Sequence, residues 1–147
     1  MSEIYSMIRR VEFIDTDVAG IVHFTTFFRY METAEHELLR AVGIPIEALH
    51  EERQLGWPRV SCSFEFRKPL KFAEELEVRI HLVKLGKRSL TYEAEIVRDK
   101  DVLATGRSTC ACCAMQGDGG FMPMEIPDDI IELLKPYLAE ENDESID

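Results

Sequence analysis

The sequence has no apolar run near the roughly 20 residues that a membrane-crossing helix needs. Its opening, MSEIYSMIRR, holds no apolar block of the kind a secretory leader carries. The expected location is therefore the cytoplasm, with no membrane partner. Basic charge is scarce as well: 17 Lys and Arg stand against 28 Asp and Glu, a net of -11. No basic stripe with interleaved aromatics is present, which argues against nucleic acid as a partner. Much of the acid is local, since residues 118–147 hold ten acids and one base, leaving 18 acids and 16 bases before them. The end from 139 to 147, AEENDESID, reads as an acidic, solvated and disordered tail behind a single domain over residues 1–138. The body of the chain thus keeps room for a local basic patch.

Cysteine pairs at zinc-site spacing are missing too. Cys62, Cys110, Cys112 and Cys113 include the run CACC, which lacks the separation of two to four residues repeated in a second pair. Without a leader, disulfides are not expected, and the thiols read as small buried hydrophobes. HELLR, which starts at His36, is not the His-Glu-x-x-His pattern, so no metal is expected. His50 and His81 read as surface residues.

The periodicity that is present changes along the chain. After a first strand near Ser6 to Phe13, apolar residues recur at helical spacing: Phe24, Phe27, Phe28, Met31, Ala34, Leu38 and Val42. Thr25 or Thr26 is suited to cap this helix, and Gly43 before Ile44-Pro45 stops it. A short helix or turn is expected over Ile46 to Glu52. From Trp57 the period drops to two, with Val60, Cys62, Phe64 and Phe66 alternating against polar neighbours. The same alternation fills Leu76 to Leu82 and Leu90 to Ile96, and a last strand runs from about Val102 to Met115. LGKRS and RDKDV connect these strands as compact hairpins, and IPDDIIELLKPYL suggests a terminal helix. One strand, a long apolar helix and four further strands imply an α+β fold. It is read as a curved five-stranded antiparallel sheet wrapped around one long central helix. Exposed sheet edges make a homodimer, or a dimer-of-dimers tetramer, the expected assembly.

One stretch concentrates the chemistry: FIDTDVAGIVHFTTFFRYME, from Phe13 to Glu32. It places Asp15 and Asp17, a glycine and His23 immediately before the long helix. A carboxylate serves as nucleophile or general base, and a helix N-terminus supplies unpaired N–H groups and a partial positive charge. Glycine lets the backbone turn tightly between them.

This stretch, continued through TAEHELLRAVGI, resembles the signature of the 4-hydroxybenzoyl-CoA thioesterase family, whose members adopt the hotdog fold. Asp15, Asp17, Gly20, Ile21, Val22, His23, Phe24 and Glu32 occupy the family's places, and WPRVSCSFEF and KLGKRSL also fit it. The resemblance covers residues 7 to 115. It implies hydrolysis of an acyl-CoA thioester to free acid and coenzyme A, with no cofactor beyond the coenzyme A of the substrate. Asp17 is then the nucleophile or the general base, Phe24 the backbone donor to the oxyanion, and Asp15 a turn-stabilising partner. Gly20, Ile21, Phe27, Glu32 and Ser61 are implied substrate contacts, while Lys84, Lys87, Arg88 and Arg59 are implied to hold coenzyme A phosphates. One branch of the family carries a His seven residues after its catalytic Asp, where this chain has Phe24. His23 either orients substrate or water or simply packs. Two other functions stay open: a hotdog hydratase or dehydratase, and a noncatalytic acyl-CoA-binding module.

Overall fold

The computed structural model describes residues 2–140, so the acidic tail lies outside it beyond its first two residues. Five strands form the main antiparallel sheet: β1 (Tyr5–Arg10), β3 (Arg59–Phe66), β4 (Glu75–Leu85), β5 (Ser89–Arg98) and β6 (Asp101–Ala111). Their order across the sheet is β1-β4-β5-β6-β3. The long hairpins β4–β5 and β5–β6 form where the sequence puts LGKRS and RDKDV. In the second, Asp99 and Lys100 both take positive φ, 49° and 74°, as a tight two-residue turn demands.

Helix α1 (Phe24–Ala41) packs on β1, β4 and β5. Its buried stripe of Phe27, Tyr30, Met31, Ala34, Leu38 and Leu39 meets the inward residues Val78, Ile80, Leu82, Ala94 and Ile96. Each fully buried Leu or Ile in that layer contributes about 1.5–3 kcal/mol relative to exposure, so this contact dominates the core. Helix α2 (Ile46–Arg53) and helix α3 (Asp128–Leu134) follow at the expected places.

Three expectations are corrected. The first strand ends at Arg10, and Phe13–Asp15 form a 3-10 turn instead. The strand expected up to Met115 breaks at Cys112, whose N–H turns to the Arg88 carbonyl. Beyond it, β7 (Cys113–Met115) joins β2 (Leu55–Gly56) and β8 (Phe121–Pro123) in a small second sheet that the sequence did not announce. Strand β3 departs most. Its alternation predicts one wet face and a buried Cys62, yet the apolar Val60, Cys62 and Phe66 are all exposed. The cause is position: β3 is the sheet's last strand, and α1 packs mainly on β1, β4 and β5, reaching β3 only through side chains such as Phe27, Phe28 and Glu35. Cys110, Cys112 and Cys113 are buried as expected, and burial pushes the thiols of Cys110 and Cys112 up to about 11, where they are poor nucleophiles.

Candidate active site

The segment before α1 folds back on itself. Asp17 N–H donates to the Ile21 carbonyl at 2.9 Å, and Thr16 bridges Val22 in antiparallel sense. Asp17 to Gly20 form the reversal, closed by Gly20 N–H on the Asp17 carbonyl at 3.0 Å. The Asp17 side chain reinforces it, Oδ1 accepting from Ala19 N–H at 2.9 Å. Oδ2 of Asp17 has no hydrogen-bond partner among the described residues, and the side chain is half-buried. Gly20 has φ +82°, a conformation other residues resist, while a Cβ there would meet nothing within 4 Å. Backbone conformation explains this glycine; protein atoms do not crowd it. Ile21 is half-buried and bridges Lys71.

Asp15 anchors the whole segment. Only 3% exposed, it accepts from Glu12 N–H at 2.9 Å and Tyr30 Oη–H at 3.0 Å, with Arg29 at 3.4 Å. Its carbonyl accepts from His23 N–H and from the Thr26 hydroxyl. The reversal that carries Asp17 and the start of α1 are therefore tied to one residue.

The helix cap differs from expectation. His23, not Thr25 or Thr26, is the N-cap: its Nδ1 accepts from Thr25 N–H at 3.2 Å and lies 2.7 Å from the Thr25 hydroxyl. An acceptor Nδ1 puts the proton of a neutral ring on Nε2. The ring stacks on Phe24, centroids 4.7 Å apart. The capping arrangement has a consequence for the helix amides. Thr25 N–H is taken by the imidazole and Thr26 N–H by the His23 carbonyl, whereas Phe24 N–H has no partner among the described residues. That leaves one open donor at the positive end of α1, on an exposed residue.

The other implied contacts are dispersed. Phe27 is buried against Phe64 and Phe66 and acts as core. Ser61 is exposed on β3. Lys84, Lys87 and Arg88 are exposed about the β4–β5 hairpin, and their side chains form no ion pair among the described residues. Arg59 is not available in the same way. It grips the buried Glu35 carboxylate through two hydrogen bonds of 3.0 Å, touches the Ser108 hydroxyl and lies 3.5 Å from Glu32. Desolvation raises the Glu35 carboxyl above its ordinary value, and Arg59 opposes the shift without cancelling it. Glu32, Glu35 and Arg59 line a cavity of about 390 Å³ beside the middle of α1, with Trp57 and Tyr92. Neither Glu35 nor Tyr92 is singled out as a site residue by the sequence, which places Tyr92 only in a strand's alternation; a lone acid on an apolar helix face was the signal for the first.

Residues 11–134 match the family model of the Thioesterase-like superfamily, and the chain belongs to that superfamily. A putative esterase of Aquifex aeolicus (strain VF5) is 33% identical over 129 residues, which cover 86% of this chain and 94% of the relative. A 1,4-dihydroxy-2-naphthoyl-CoA hydrolase of Nostoc punctiforme is 27% identical, covering 86% and 84%. The solved structure of a gentisyl-coenzyme A thioesterase aligns with a TM-score of 0.76 at 28% identity, over 90% of this chain and 99% of that one. The α+β arrangement is thus shared with a solved thioesterase. No helix among the described residues is long and apolar enough to cross a membrane.

Proposed function

We propose that this chain is an acyl-CoA thioesterase of the hotdog fold, in which the main sheet wraps α1 and a water releases free acid and coenzyme A. The observation that carries the reading is the open Phe24 N–H at the start of α1, reached directly from the reversal that presents Asp17. A thioester carbonyl oxygen placed on that amide gains a donor and the helix's positive end as negative charge develops. The free oxygen of Asp17 then either attacks the carbonyl carbon, expelling the thiolate and leaving an anhydride that water opens, or takes a proton from the attacking water. Both routes consume one water and yield one acid and one thiol. The hydrolase and thioesterase named among the relatives support this reaction type.

Lys84, Lys87 and Arg88 supply the cations for the coenzyme A phosphates. A homodimer completes the assembly. The outer edge of β3 has no partner strand among the described residues, and Val60, Phe66, Phe24 and Val18 leave apolar surface exposed. A noncatalytic acyl-CoA-binding module is the competing reading, favoured by the engagement of Asp17 Oδ1 in its own turn.

Thiol release from a panel of short, medium and aromatic acyl-CoAs tests the proposal, with Asp17→Asn as the control. Asparagine keeps an oxygen for Ala19 N–H, so the turn survives while the carboxylate is lost. Turnover is expected to fall by about 10²–10⁴-fold with binding retained. Unchanged turnover in the variant sinks the role of Asp17, and binding without turnover on every substrate selects the binding module.

A further inference from the structure

The cavity beside α1 holds one buried donor without a partner among the described residues, the Trp57 indole N–H, and the hydroxyl of Tyr92, which bonds to no described residue. The Trp57 indole N–H is buried and has no hydrogen-bond partner among the described residues. Tyr92, 3% exposed on the inward face of β5, has a hydroxyl with no hydrogen bond to any described residue. Both residues line the same cavity. A buried donor left without an acceptor is costly, so the Trp57 N–H, with the Tyr92 hydroxyl beside the same space, marks a place for an acceptor. Burial pushes the Tyr92 hydroxyl well above its ordinary value, which keeps it a protonated donor.

Position links this cavity to the site. Phe24, Phe28, Glu32, Glu35 and Leu39 succeed one another at helical spacings of three and four, so one stripe of α1 runs from the open amide to the cavity. At 1.5 Å per residue, Glu32 and Glu35 lie about 12 and 17 Å along the axis from Phe24. An extended chain advances about 1.2 Å per bond, so about 10–14 bonds cover that distance. The cavity's charge narrows the choice. Glu32, Glu35, Glu47 and Glu51 line it with His36 and His50, whereas Arg59 is committed to Glu35 and Glu32, and Arg40 pairs with Glu47. A second carboxylate brought by the ligand would meet these four acids, while the one arginine among the described lining residues is already paired.

We propose that this cavity receives the far end of the acyl group, and that it selects a chain of about ten carbons or more ending in a neutral oxygen-bearing group such as a hydroxyl or carbonyl. Trp57 Nε1 and Tyr92 Oη bind that oxygen, and the Glu35–Arg59 pair holds the wall of α1 against β3. The inference rests on the proposed thioesterase reading for the placement of the thioester at Phe24.

Binding of non-hydrolysable S-alkyl thioethers of coenzyme A tests it without chemistry. Three carry ten-carbon chains ending in methyl, hydroxyl or carboxylate, and a fourth carries a four-carbon chain. Trp57 is the chain's single tryptophan, so its emission reports the cavity directly. The hydroxyl-ended chain is expected to shift that emission and to bind about fivefold more tightly than the methyl-ended one. The carboxylate-ended chain is expected to bind least tightly of the three, and the four-carbon chain to leave the emission unmoved. Tyr92→Phe, followed by emission, and Trp57→Phe, followed by calorimetry, should each reduce the hydroxyl preference towards unity. Equal binding of hydroxyl and methyl ends, a preference untouched in both variants, or emission that no ten-carbon chain moves overturns the proposal. If these shifts hold while the matching thioesters release no thiol, the proposed activity fails and the cavity's ligand class stands.

Discussion

Tyr30, on the buried face of α1, donates its hydroxyl to Asp15 at 3.0 Å across 15 residues of chain. The carboxylate is buried and holds the backbone that presents Asp17 and caps the helix. The Tyr30 hydroxyl is raised above its ordinary value by burial and then by this bond, so it remains the donor. Tyr30→Phe removes one donor from a buried charge and leaves Glu12 N–H and Arg29. The expected cost is about 1.5–3 kcal/mol, read as a lower urea midpoint with an unchanged slope.

His23 separates two roles that one residue can combine. Its Nδ1 caps α1 by accepting from Thr25 N–H. His23→Ala is expected to cost about 1 kcal/mol of stability by losing the cap, whereas His23→Asn keeps it. Equal thiol release by the Asn variant and the native protein shows that His23 serves as a cap alone. A fall in kcat in the stable Asn variant shows that the imidazole acts on substrate or water.

Local features were open to reading from the sequence, and features that need register were not. The α1 stripe, its stop at Gly43 and the two long hairpins all follow from periodicity and turn residues a few positions apart. The Arg59–Glu35 pair was hidden because it joins β3 to α1 across 24 residues. So was the fit of Phe64 over Gly106. They face each other only once β3 and β6 are in register, and a Cβ on Gly106 would lie 2.5 Å from the Phe64 ring. Alternation in β3 was visible, but its exposure depends on where the strand falls in the sheet, which period two does not encode. In the candidate site, the Asp17 turn and the helix start were readable as one motif. The identity of the open amide was not, because it depends on which residue caps the helix.

Glu35 gives stability a pH dependence of its own. Desolvation first, opposed by Arg59, sets its folded pKa above the ordinary 4.5. An acid with a raised folded pKa holds its proton more tightly when folded. Its contribution therefore favours folding below the unfolded value and is lost as pH rises through the folded one. Glu35→Gln cannot titrate. The difference in unfolding free energy, native minus variant, is expected to fall as pH rises from about 4 toward neutrality. Urea titrations of both proteins across that range check it, and a difference that rises with pH refutes the assignment.

Lys87 and Arg88 offer a test that leaves the reacting atoms alone. Both are exposed, their side chains form no ion pair among the described residues, and Lys84 stands close by at the same hairpin. On a chain of net charge -11, such a patch is where an approaching phosphate finds attraction. Removing cations there weakens ground and transition states alike, because the phosphates do not change during hydrolysis. The double variant Lys87→Ala, Arg88→Ala is therefore expected to raise KM by about tenfold and leave kcat nearly unchanged. Salt gives the second arm. At an ionic strength near 1 M, where the screening length is about 3 Å, the KM values of native protein and variant should converge. A fall in kcat without a change in KM, or a gap in KM that salt does not narrow, would place the phosphates elsewhere on the protein.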